Sequence, residues 1–175
     1  MDNSKMVEFL PRLNGFIPIT GEDGGNYTEI WLKGPEKIQI SKKSKTVLAH
    51  LVRLYAKDLV LVRQQSKRIL GYSKDLPLLI THHLVLIPVK VREATYKDEG
   101  TLGYVVLQSV DKVRPLERGK AKLSFQDGSE LLVLNRVQKI RQKMNEALDL
   151  IRVEMDLQKL FYQANLNQAR EDFNF

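Results

Sequence analysis

At about 100° per residue, Val47, Leu48, Leu51, Leu54 and Tyr55 fall on one side of a helix, and Lys42, Lys45, Arg53 and Lys57 on the other. The pattern predicts an amphipathic helix over 44–57 with Ser44 at its N-cap. A second helix is predicted over 58–70, opening at Asp58 and stopping at Gly71. It turns Leu59, Val62, Ile69 and Leu70 inward and places Arg63 and Lys67 on one face. Around this pair the pattern is that of strands. Residues 16–20 and 27–32 read as strands joined by the turn-forming run 21–26, and 36–40 as a third. Trp31 reads as a sheet-face anchor. Residues 76–81 and 84–89 are dense in branched aliphatics and flank His82-His83, which predicts a hairpin. A strand over 101–110 follows a polar loop around 97–100, and Asp127-Gly128 marks a hairpin within 120–134. From Val137 no Gly or Pro interrupts the chain. Val137, Ile140, Met144, Leu148, Ile151 and Met155 then recur at three- and four-residue steps, predicting a long helix over 137–165 and a frayed or partner-dependent tail beyond it.

These elements describe an α+β chain: an antiparallel sheet, a central basic helical pair and a long C-terminal helix. Its 175 residues, 43% of them hydrophobic, suit one domain with an extension. The division expected is a mixed core over 1–136 and, over 137–175, a helix and tail packing on that core or at an oligomer interface. Asp149, Glu154 and Gln158 interrupt any heptad register, which argues against an extended coiled coil.

Charge sharpens the picture. Residues 33–74 hold eleven Lys and Arg against two acids, Glu36 and Asp58, so this segment carries +9 in a chain whose net charge is +7. A concentration of that kind raises the local potential where a polyanion approaches. Arg118, Lys120 and Lys122 form a smaller basic group on the exposed side of the 120–134 hairpin. The alternative for all of these is a solvated surface.

Chemistry of other kinds is sparse. Cysteine is absent, which excludes disulfides, thiolate nucleophiles and Cys-based metal sites. His82 and His83 are adjacent and, on a strand, would point to opposite faces. No phosphate-loop, dinucleotide-binding, serine-hydrolase or zinc-protease pattern occurs. The acidic pairs Asp98-Glu99 and Glu171-Asp172 sit in loop and tail. The reading is of a non-enzymatic binding protein without metal or other cofactor. No apolar run is long enough to span a bilayer, and the opening residues, broken by Glu8 and Pro11, lack a signal-peptide pattern. A soluble, cytoplasmic setting is expected.

Residues 53–90 carry a family likeness. Arg53 and Tyr55 lead into the short basic helix, within which Arg63 and Ser66 occupy basic and hydroxyl positions. Lys74 and Pro77 approach the strand 76–81, a two-residue turn follows, and the strand 84–89 ends at Pro88. Together with Phe125 and Gly128 in the later hairpin, the run resembles the ComK family of competence transcription factors, over most of residues 16–150. The resemblance implies an activator of DNA-uptake genes that binds double-stranded, A/T-rich boxes as a homo-oligomer through the minor groove. A narrow A·T groove is unusually negative and attracts inserted Arg and Lys, while offering few distinguishing base edges. Arg53, Arg63 and Arg68 are the candidates for groove entry. Lys42, Lys43, Lys45, Lys57, Lys67 and Lys74 are the candidates for phosphate contact. Two other readings stand beside it. One is major-groove docking by the 58–70 helix in helix-turn-helix fashion, opposed by a short link without glycine. The other is a protein-interaction adaptor whose basic surface meets an acidic partner.

Overall fold

In the computed structural model, which describes residues 3–94 and 100–172, alternation along the strands sorts the apolar side chains onto two faces of one central sheet. That sheet comprises β1 (Leu13–Thr20), β2 (Asn26–Leu32), β3 (Lys37–Ile40), β4 (Leu78–Thr81), β5 (Leu84–Lys90) and β6 (Leu102–Val106). Their order is β3-β2-β1-β6-β5-β4, and every neighbouring pair is antiparallel. Phe16, Ile30, Leu32, Ile80, Leu86 and Tyr104 face the helices α1 (Asn3–Phe9), α2 (Ser44–Leu54) and α3 (Leu59–Leu70). Trp31, Leu79, Val85, Ile87 and Val105 face the opposite way. They meet a three-stranded antiparallel sheet, β7 (Val110–Pro115), β8 (Ala121–Phe125) and β9 (Glu130–Val133), and the first half of α4 (Val137–Asp172). Both faces of β5 are covered, which is why 84–89 reads as an unbroken apolar run rather than an alternating one. The chain is therefore α+β, with the basic helical pair forming the outer layer on one side.

Several elements differ from the sequence reading, each for a local reason. The helix α2 ends at Leu54 rather than 57, because Ala56 takes a left-handed conformation (φ 53°). Ser44 is not its N-cap. Lys43 holds that position in extended backbone, and Ser44 is buried with its Oγ 3.2 Å from Thr28 Oγ1. The run 101–110 is two strands in two sheets, divided by a 3-10 turn at Leu107–Ser109. The division is made by tertiary bonds: Gln108 bonds Val85 N and His82 O, and Ser109 Oγ donates to Leu13 O. The short helix α1 has no counterpart in the sequence pattern. The loop around 97–100 lies mostly, and the last residues of the tail lie, outside the described residues.

The helix α4 is longer than expected, and its buried stripe rotates. Val137 and Ile140 are buried as read, but the core side then passes through Lys143, Ala147 and Leu150, leaving Leu148 and Met155 about half exposed. A helix of 3.6 residues per turn drifts from a 3.5-residue repeat by about 20° per heptad. Lys143, skipped in the sequence because it is charged, is 2% exposed, and its Nζ donates to the Asp75 carbonyl. Burial lowers its pKa below the ordinary lysine value, with Asp75 acting in the opposite direction.

Candidate nucleic-acid interface

The two basic helices are built from their own sequence signals. Asp58 caps α3 by accepting from Val60 N at 2.8 Å and Leu61 N at 3.1 Å, and Gly71 ends it in the left-handed region at φ 79°. Val47, Leu48, Leu51 and Val52 of α2, with Val62 of α3, are buried against the sheet. That docking leaves the Lys and Arg side chains of both helices on the outer side of a single layer. The approach to α2 is fixed by Thr28 of β2, whose Oγ1 donates to the Lys42 carbonyl at 2.6 Å. Thr28 thereby holds the exposed group Lys42, Lys43 and Lys45 beside the edge strand β3.

Of the nine candidate residues, Lys42, Lys43, Lys45, Arg53, Lys67, Arg68 and Lys74 are exposed. Lys57 is half-buried in the link between the helices. Arg63 is half-buried too and sits beside the Tyr104 hydroxyl of β6. Burial raises the Tyr104 pKa, and the Arg63 charge and hydrogen bond act against that rise. Arg63 and Lys67, expected to share an outward face, are thus separated, one turned to the sheet and one to solvent. Arg53, Arg63 and Arg68 do not converge on one point. Arg53 closes α2, Arg63 faces Tyr104, and Arg68 lines a groove between α3 and α4 together with Lys57.

Pairing separates these bases from the rest. Among the described residues, none of the nine lies within 4.0 Å of a carboxylate oxygen. Bases elsewhere do: Arg12 with Glu36, Lys90 with Glu93, Lys122 with Glu130, Arg152 with Asp149 and Lys159 with Asp156. The smaller basic group is accordingly partly neutralised, because Lys122 meets Glu130 at 2.9 Å. Unpaired charge projects a field into solvent, whereas a paired base largely cancels its own. Sequence spacing alone does not reveal this distinction, since the carboxylate partners come from other strands.

Trp31 is a core anchor, as expected. It packs on Phe125 with ring centroids 6.1 Å apart, and its Nε1 donates to Glu29. His82 and His83 lie in the β4–β5 turn with ring centroids 4.0 Å apart rather than on opposite strand faces. Among the described residues no group of three or more His, Asp or Glu is placed to hold a metal ion, and no helix is long and apolar enough to cross a membrane. Compared with family models, curated proteins and solved structures, the chain matches none of them.

Proposed function

We propose that this protein is a cytoplasmic DNA-binding transcription activator, reading A/T-rich duplex through the outer surface of its α2–α3 layer. The observation that carries the reading is the set of unpaired bases on that layer, in a chain whose other bases meet carboxylates. Lys42, Lys43, Lys45, Lys67 and Lys74 serve phosphate contact, and Arg53 and Arg68 are the guanidinium groups free for the groove. Arg63 supports the layer from within. The likeness of residues 53–90 to the ComK family adds the target class, genes of DNA uptake, and binding as a homo-oligomer on paired boxes.

Major-groove docking by α3 gains support from one observation. The link between α2 and α3 is four residues, and Ala56 supplies the left-handed turn for which a glycine would otherwise be expected. The experiment that tests the proposal is salt-titrated binding to A/T-rich and G/C-rich duplexes, repeated with a minor-groove competitor and with major-groove substituents. Preference for A/T-rich duplex, lost to the minor-groove competitor alone, supports it. A footprint abolished only by major-groove modification transfers the reading to α3. No binding to any duplex at low salt removes DNA and leaves an adaptor with an acidic partner.

A further inference from the structure

The distal half of α4 keeps an apolar stripe after its own domain has ended. Leu150, Val153, Leu157, Leu160, Phe161 and Ala164 fall within an arc of about 100°. Leu150 is fully buried, Val153 half-buried, and Leu160 and Phe161 are 62% and 70% exposed. Where the stripe leaves the core it runs beside α3, and the two helices frame a groove of about 580 Å³ floored by Leu61, Val62, Ile69, Val153 and Leu157. Lys57 and Arg68 stand in its lining, and Val60 and Leu61 of α3 are 59% and 63% exposed.

We infer that this surface is an interface between two copies of the chain, in which the distal α4 of one protomer lies in the α3–α4 groove of the other. Three features select a second copy as the occupant. Stripe and groove adjoin on the same molecule, so a two-fold arrangement satisfies both at once and closes. The charges match: Glu154 and Asp156 flank the stripe, and Lys57 and Arg68 line the groove that would receive it. The area also suffices. The exposed parts of Val60, Leu61, Leu157, Leu160 and Phe161 come to roughly 600 Å² on one protomer, hence about 1,200 Å² for two, the lower end of a specific interface. A patch of that size is at the upper end for a monomer that leaves its surface free. The inference does not depend on nucleic-acid binding, although an Arg68 engaged here is withdrawn from the DNA-facing set.

The test uses the full chain. Sedimentation over a range of concentrations should show a monomer–dimer equilibrium. L160D and F161D, at exposed positions, should each raise the dimer dissociation constant at least tenfold, while circular dichroism and melting stay unchanged. Because the protein has no cysteine, single Cys variants at Leu61 and Phe161 locate the contact cleanly. Mixed and oxidised, they should form a 61–161 cross-linked dimer in preference to either homodimer. The other flank of α4, with Met155 and Tyr162, supplies the control, and Tyr162→Asp should leave the dimer intact. A monomer at all concentrations, a dimer that survives L160D and F161D, or a dimer lost only in Tyr162→Asp would overturn the assignment. Neither L160D nor F161D removes a base, so failure of this interface and failure of DNA binding are read separately.

Discussion

The guanidinium of Arg63 on α3 sits beside the hydroxyl of Tyr104 on β6, joining the helical layer to the strand it covers. A charge that serves the fold in this way is not available to a ligand, and the pair divides the basic segment into supporting and outward residues. Arg63→Ala is therefore expected to lower stability by about 1–2 kcal/mol, the cost of a charge-assisted hydrogen bond lost from a partly buried site. Lys67→Ala should stay within about 0.5 kcal/mol of the parent. Chemical denaturation followed by the emission of Trp31 measures both. Equal stability for the two variants would mean that Arg63 contributes nothing to the fold.

The rotation of the α4 stripe gives a second prediction. Met144 is half-buried against the inner core, whereas Leu148, one turn on, is 51% exposed. Met144→Asp should cost about 2–3 kcal/mol by placing an unpaired carboxylate in an apolar contact. Leu148→Asp should cost less than about 0.5 kcal/mol. Thermal melting of the two variants, side by side, decides whether the core face is the one described.

Much of the fold was legible because neighbouring residues enforce it. The Asp58 cap and the Gly71 stop of α3 lie within the helix they bound, and the Asp127-Gly128 turn sets the β8–β9 hairpin. What escaped depends on residues distant in sequence. Gln108 and Ser109 divide one apolar run between two sheets through bonds to 82, 85 and 13. Ser44 has the chemistry of an N-cap but turns to Thr28 instead. Of the candidate site, the spacing identified an amphipathic basic helix and the outward position of Lys42, Lys45 and Arg53. It did not separate Arg63 from Lys67, because the partner that turns Arg63 inward lies on β6.

Asp127 supplies a third prediction, this time in pH. Its carboxylate accepts from Asn14 Nδ2 and Gly34 N, each at 2.8 Å, and from Ser129, tying the β8–β9 turn to the central sheet. Partial burial works toward a higher pKa, but the bonds from Ser129, Gly34 and Asn14 prevail and hold it at about 2, below the usual 3.8. A carboxyl with a depressed folded-state pKa stabilises the protein above its unfolded value, and that contribution fades as pH falls from about 4 to 2. Asp127 is largely open to solvent, so the contribution is held to about 1 kcal/mol. The stability difference between the parent and Asp127→Ala should shrink across that window. A constant difference from pH 6 to 2 would show that the ionised form is not what the bonds favour.

The central claim is that the unpaired bases of the α2–α3 layer bind DNA, and the salt dependence of affinity measures it most directly. Lys42, Lys43 and Lys45 are exposed, have no carboxylate partner among the described residues, and stand at one fixed place beside β3. Each phosphate contact contributes about 0.9 to the slope of log K against log salt. A folded variant with all three replaced by Ala should bind A/T-rich duplex more weakly, with a slope shallower by about 2.7. A variant whose slope and affinity match those of the parent would contradict the placement of the interface on this layer.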